Sequence, residues 1–264
     1  MSKLQKPESQ QRILALDTST TSLAVAVMDH GKVLHEIHEL GERNHSIRIL
    51  SIVEEVLKES ETLTSEVQGI AVGIGPGSYT GTRISVTAAK TLAWAWNIPV
   101  VGISSLHSLA YGGYSHAVDA QEDKAGMDHV NWVIPLMDAR RGQVYTALFS
   151  SSDSNIPNRL EPDAIRLMEQ WVDELVTLLK ATSEQEKPRT IWFVGDVNLH
   201  MEAAERLRVY LGDSLHIVAY DLEARFVGML GQQRLNRGEM DDMHSLIPNY
   251  TQLTEAEANL LRKT

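Results

Sequence analysis

The sequence predicts an α/β protein built on mixed β-sheet with helices packed on its faces, and three observations predict it. Three apolar runs separated by polar turns open the ordered part of the chain, the pattern of a β-meander. Segments of helical and strand periodicity then alternate, as crossover connections between parallel strands require. The 264 residues are 43% hydrophobic and 22% charged, ordinary globular values with material for one large domain or two modest ones.

The polar opening, Met1 to Gln11, has no apolar signal core and reads as a frayed tail. Ile13 to Asp17, Leu23 to Met28 and Val33 to Leu40 form the meander, with Asp29-His30-Gly31-Lys32 as a tight turn. From Ser46, the residues Ile49, Ile52, Val53, Val56 and Leu57 recur at helical spacing, opposite Glu54, Glu55 and Lys58. Gln68 to Ile74 is a strand, Thr82 to Trp96 a helix stopped by Asn97 and Pro99, Val100 to Ile103 a strand and Ser104 to Tyr111 a short helix. The polar stretch Gly112 to Asn131 reads as a linker, dividing a first lobe, 12–111, from a second, 112–264, whose last helix is free to pack back on the first. In the second lobe Trp132 to Met137 and Val144 to Ser150 form a hairpin around Asp138 to Gly142. Pro162 to Lys180, Leu199 to Tyr210 and Leu222 to Gln233 read as helices, and Ile191 to Val194 as a strand.

The formal net charge is −11, so the surface as a whole repels phosphate backbones; any RNA chemistry would need its basic surface from another chain, unless a local basic patch supplies it. There is no cysteine, which removes disulfides, thiolate zinc sites and thiol nucleophiles. No apolar run reaches about 18 residues, the length of a membrane span. The expectation is a soluble cytoplasmic protein.

Two segments could touch a phosphate. Asp17-Thr18-Ser19-Thr20-Thr21-Ser22 lies between two strands, where amides and hydroxyls can hold an anion and Asp17 a metal-bound water; it can equally be a turn with local caps. Gly75-Pro76-Gly77-Ser78-Tyr79-Thr80-Gly81-Thr82-Arg83 joins a strand to a helix that Thr80 or Thr82 can cap, and its lack of Gly-Lys-Ser/Thr separates it from a P-loop. A plain structural corner is the other reading. The candidate phosphate loop is therefore Asp17, Thr18, Ser19, Gly75, Gly77 and Thr80, with Gly195-Asp196 a faint second loop. Histidines do not converge: His35 and His38 fall on opposite faces of a strand, and no His-x-x-x-His occurs, so no metal site is expected.

The two helices of the first lobe carry more apolar surface than one core needs. Trp94 and Trp96 lie about 200° apart around a helix, so they cannot share a face. Ile47 and Leu50 widen the stripe of the other helix. The candidate partner interface is Ile47, Ile49, Leu50, Val53, Leu92, Trp94 and Trp96.

Ile13-Leu14-Ala15-Leu16-Asp17-Thr18-Ser19, Gly73 through Arg83, and Asp138-Ala139-Arg140-Arg141-Gly142-Gln143-Val144-Tyr145 together resemble the signatures of the TsaB family of bacterial threonylcarbamoyladenosine biosynthesis proteins. Pro248-Asn249-Tyr250, followed by Glu255-Ala256-Glu257, also resembles that family's C-terminal pattern, although Thr251-Gln252 stands where Leu-Arg is usual. The resemblance implies an actin-like ATPase (ASKHA, ribonuclease H-like) fold of two related lobes. It implies a catalytic paralogue, TsaD, that transfers threonylcarbamoyl to the adenosine beside the anticodon of tRNAs reading A-starting codons. TsaD holds its metal through a His-x-x-x-His; the matching positions here are Ser105 and Leu109, and leucine ligates nothing. The expectation is then a non-catalytic subunit with no catalytic residue and no cofactor assigned to it, paired with TsaD through the two N-terminal helices, joined by the ATPase TsaE, either monomer or homodimer when alone, and meeting tRNA only indirectly. ATP is used by the complex. The rivals are an active ATPase or small-molecule kinase of the same fold, and a metalloprotease.

Overall fold

The structure, a computed structural model, describes residues 12–40, 45–120, 129–152, 156–184 and 186–251; side chains at 45–47 are outside the description. One compact unit comprises the described residues of Met1–Gly112 and Asp221–Pro248, the other those of Gly113–Tyr220 and Asn249–Thr264.

The first unit is a five-stranded sheet of β1 (Arg12–Asp17), β2 (Ser22–Asp29), β3 (Lys32–Leu40), β4 (Gly69–Gly73) and β5 (Val100–Ile103), in the order β3-β2-β1-β4-β5. The meander pairs antiparallel, and β1, β4 and β5 run parallel. Period-two alternation sorts β1 cleanly: Leu14 and Leu16 join Val25, Val27, Ile70 and Val72 in the main core. Helices α1 (His45–Glu59) and α2 (Tyr79–Trp96) cover that core with Ile49, Ile52, Val53, Val56, Val86 and Ala89. Helix α7 (Ala224–Asn236) packs across β1, β2, β4 and β5, and Gly231 lets it come close enough that a Cβ there would lie 2.2 Å from Ala71 Cβ. Its start is tied to β3 where the Arg225 N–H donates to Glu36 at 3.0 Å.

The second unit repeats this plan. Its strands are β6 (Asn131–Asp138), β7 (Gln143–Ser151), β8 (Asn158–Leu167), β9 (Thr190–Gly195) and β10 (Leu215–Ala219), ordered β10-β9-β6-β7-β8. Read from the other edge, this is the same succession of two antiparallel and two parallel pairings. Helices α4 (Met168–Ala181), α5 (Met201–Glu205) and α6 (Arg208–Leu211) follow the strands, and Trp171, Val172, Leu175, Phe193 and Leu207 are among its core residues. Helix α3 (Ser105–Asp119) carries the boundary between the units. No helix of the described residues is long and apolar enough to cross a membrane.

Four readings of the sequence are corrected. Residues from Pro162 do not start a helix: Asn158–Leu167 is an edge strand, and an edge tolerates a proline because its N–H owes no ladder bond. The helix expected over Leu199 to Tyr210 is broken into a 3₁₀ turn, α5 and α6. Leu215–Ala219 is a strand, paired to β9, that the sequence reading missed. The helix after β5 continues to Asp119, well into the expected linker, and 121–128 lies outside the described residues.

Candidate functional site

Parallel pairing of β1, β4 and β5 brings their C-terminal ends side by side, and these ends carry Asp17, Gly73-Ile74-Gly75 and Ile103-Ser104-Ser105. In open α/β sheets that edge is where ligands bind. Asp17 is 1% exposed. Its Oδ1 accepts the Ser19 N–H at 2.6 Å and its Oδ2 accepts the Ser105 hydroxyl at 2.6 Å. The same Ser105 oxygen accepts the Gly75 N–H at 3.0 Å, and the Ser105 N–H returns a bond to Gly75 O at 3.0 Å. Burial raises the Asp17 pKa above the ordinary 3.8, against the opposing pull of the hydrogen bonds from Ser105 and Ser19.

The two candidate phosphate segments pack on one another. The Ser78 N–H donates to Ser19 O at 2.6 Å, and the Thr18 hydroxyl donates to Gly81 O at 2.6 Å. A Cβ on Gly77 would sit 2.3 Å from Ser19 O, and one on Gly81 would sit 1.9 Å from Thr18 O. Neither position has room for a side chain, so these glycines serve the contact between the two segments. Thr80 is exposed, and it does not cap α2: the cap is Ser78, whose Oγ accepts the Gly81 N–H at 3.2 Å, and Thr82 donates its hydroxyl to Ser78 O at 2.7 Å. The helix therefore begins at Tyr79, earlier than its apolar periodicity suggested. Burial to 1% exposure, with Ser105 held against Oδ2, means that a metal-bound ligand would reach Asp17 only by displacing Ser105.

Ser105 was not among the candidate site residues. Its signal was positional: it follows the last residue of β5 by two, beside β4 and β1 in a parallel sheet. Leu109, one turn further along α3, is 2% exposed and belongs to the interior. Among the described residues no group of three or more His, Asp or Glu is placed to hold a metal ion. In the second unit, Gly195-Asp196 is engaged with the β6–β7 hairpin: Asp196 Oδ2 accepts the Asp138 N–H at 3.0 Å, and the Asp196 N–H donates to Leu136 O at 2.8 Å.

The candidate partner face is narrower than expected. Ile49 and Val53 are each 3% exposed and face the unit's own core, so they are corrected to core residues: the stripe facing the sheet claims them. Leu92 and Trp96 are half-buried and pack against that core. Leu50, 54% exposed, and Trp94, 70% exposed, point outward. Ile47 lies outside the described side chains. Around Leu50 the outward residues of α1 are Arg48, Ser51, Glu54 and Glu55; those of α2 are Arg83, Thr87, Thr91 and Ala95 beside Trp94.

Comparison with known proteins places this geometry. A family model described as TsaD, tRNA N6-adenosine threonylcarbamoyltransferase, matches residues 37–259. The chain is 34% identical to the tRNA threonylcarbamoyladenosine biosynthesis protein TsaB of Bacillus subtilis (strain 168), over 93% of this chain and 96% of that protein. It is 35% identical to the protein of the same name from Escherichia coli (strain K12), over 58% of this chain and 62% of that protein. The solved structure of YeaZ from Pseudomonas aeruginosa superposes with a TM-score of 0.67 at 22% identity, covering 91% of this chain and 99% of that one. With the repeated strand order, the fold is that of the actin-like ATPases, in two related lobes.

Proposed function

The chain belongs to the TsaB family of tRNA threonylcarbamoyladenosine biosynthesis proteins, and from that premise we propose that it is a non-catalytic subunit that activates a TsaD partner in the cytoplasm. The observation that carries the reading is the closure at the carboxyl ends of β1, β4 and β5. Where the resemblance sets the metal-binding histidines of TsaD, this chain has Ser105, fastened between Asp17 and Gly75, and the buried Leu109. A carboxylate only 1% exposed, with one donor of its own chain on each oxygen, is out of reach of a substrate-bound ion while Ser105 stays in place.

Leu50 and Trp94 support the partner role. They stand exposed on two helices that contact each other and otherwise spend their apolar residues on their own lobe. Large apolar side chains on a rigid helix pair suit a helix-on-helix interface, where an aromatic anchor supplies most of the binding energy. TsaE joins the pair, and the nucleotide belongs to those partners.

The test is reconstitution. Threonylcarbamoyl transfer to unmodified tRNA is measured with this chain alone, with TsaD and TsaE of the same organism, and with all three together. Transfer only in the mixtures that contain TsaD, rising when this chain is added, is the expected result. Transfer by the isolated chain, or micromolar Mg-ATP binding with turnover in calorimetry, would replace this reading with that of an active ATPase or transferase.

A further inference from the structure

The hairpin joining β6 to β7 turns on Arg140, Arg141 and Gly142, whose φ values are 66°, 54° and 73°. The Gln143 N–H donates to Arg140 O at 2.9 Å and the Ala139 N–H donates to Gln143 O at 2.9 Å, which closes a tight turn with left-handed central residues. Such turns favour Asn-Gly, because glycine has no Cβ to crowd the carbonyl and the short asparagine side chain offsets that crowding with local hydrogen bonds, which arginine does not. Five non-glycine residues of the described chain take positive φ, namely His30, Glu61, Asn97, Arg140 and Arg141, and only the two arginines are adjacent. The fold gains nothing from arginine at either position.

Both side chains are exposed, and neither makes an ion pair or side-chain hydrogen bond among the described residues. Arg166, Arg206, Arg208 and Arg234 each sit against carboxylates. Arg189 and Arg237 are exposed without a side-chain partner among the described residues, as the tip pair is, but only the tip sets two such guanidiniums next to each other on left-handed backbone. The acids beside the tip are already engaged, with Asp138 Oδ1 lying 3.1 Å from His200 Nε2 and Asp196 Oδ2 holding the Asp138 N–H. A chain with 35 acidic and 24 basic residues thus leaves two neighbouring guanidiniums uncompensated, on a backbone that resists them. Strain kept without a structural return marks a functional position.

We propose that the Arg140-Arg141 tip is a phosphate-contacting finger that touches the backbone of the tRNA while this chain works within its partner complex; the inference rests on the subunit reading above. The planar guanidinium matches a phosphate bidentately. The turn from Ala139 to Gln143 carries no large apolar side chain, so it lacks the anchor of a protein–protein contact and suits a solvated polyanion. Two such contacts add to the affinity supplied by other subunits and leave base recognition to them.

The test uses the full-length chain co-purified with TsaD, and an unmodified tRNA reading an A-starting codon, titrated over a series of salt concentrations. Arg140→Asn with Arg141→Asn suits the left-handed backbone, so this variant is expected to melt no lower than the wild type and to assemble unchanged. Its tRNA affinity falls about tenfold, and the slope of log K against log salt drops by about 1 to 2. Arg140→Lys with Arg141→Lys keeps most of both. Unchanged affinity and slope in the asparagine variant overturn the proposal. So does a loss of assembly with TsaD while tRNA affinity per assembled complex stays the same, which would make the finger a protein contact. If the wild-type chain and TsaD do not assemble, the subunit reading falls, and the same variants compared on the isolated chain at low salt decide the tip.

Discussion

At the scale of single residues the molecule turns on Asp17. Its folded pKa lies above 3.8 because it is buried, so the folded state holds the proton more tightly than the unfolded chain does. The stability this confers is complete below 3.8 and is lost as pH rises toward the folded value. Asp17→Asn removes that titration, so urea midpoints taken from pH 3.5 upward should show the wild type losing stability relative to the variant. Parallel curves across the range would contradict the burial argument. The sequence disclosed that Asp17 ends a strand beside a hydroxyl-rich turn, and it disclosed the glycines of the 75–83 segment. It did not disclose that the two segments touch, because Gly81 facing Thr18 O is a contact across 63 positions that no local pattern encodes. Ser105 was marked only by the resemblance, as the counterpart of a histidine; its bond to Asp17 stayed hidden for the same reason, the two being 88 positions apart.

At the scale of elements, α1 and α2 show where periodicity informs and where it misleads. It located both helices and their core stripe, and it overcounted the outward face, since Ile49 and Val53 turn inward with Ile52. Ile52, 1% exposed within the main core, and Leu50, 54% exposed, share one helix and should behave oppositely. Ile52→Ala leaves a cavity and should cost about 2–5 kcal/mol of unfolding free energy. Leu50→Ala should change it by no more than about 0.5 kcal/mol. Equal losses in urea denaturation would mean that α1 presents no free face. The edge strand β8 was illegible for a different reason: Arg159, Glu161 and Asp163 carry little apolar alternation, and the strand exists through its pairing with β7. The fragment α5 likewise takes its form from packing Ala203 and Ala204 on the second core, Leu207 anchors the link that follows it, and α6 adds only the partly buried Leu211.

At the scale of the whole molecule, one strand order is used twice; the meander and crossovers of the first hundred residues disclosed a mixed sheet with helices on its faces, while the two related actin-like lobes were implied only by the family resemblance. The second copy was harder to read because its β8 and β10 are weakly patterned. The central claim is that this fold serves here as a binding subunit, with its carboxyl-edge acid closed off and its helix pair turned outward. Sedimentation velocity of the full-length chain mixed with TsaD of the same organism tests it most directly, run beside the variant carrying Leu50→Glu and Trp94→Glu. The account predicts a heterodimer boundary for the wild type and separate monomer boundaries for the variant, whose own fold is intact by circular dichroism. A variant that co-sediments with TsaD as the wild type does, or a wild type that never associates, would contradict it.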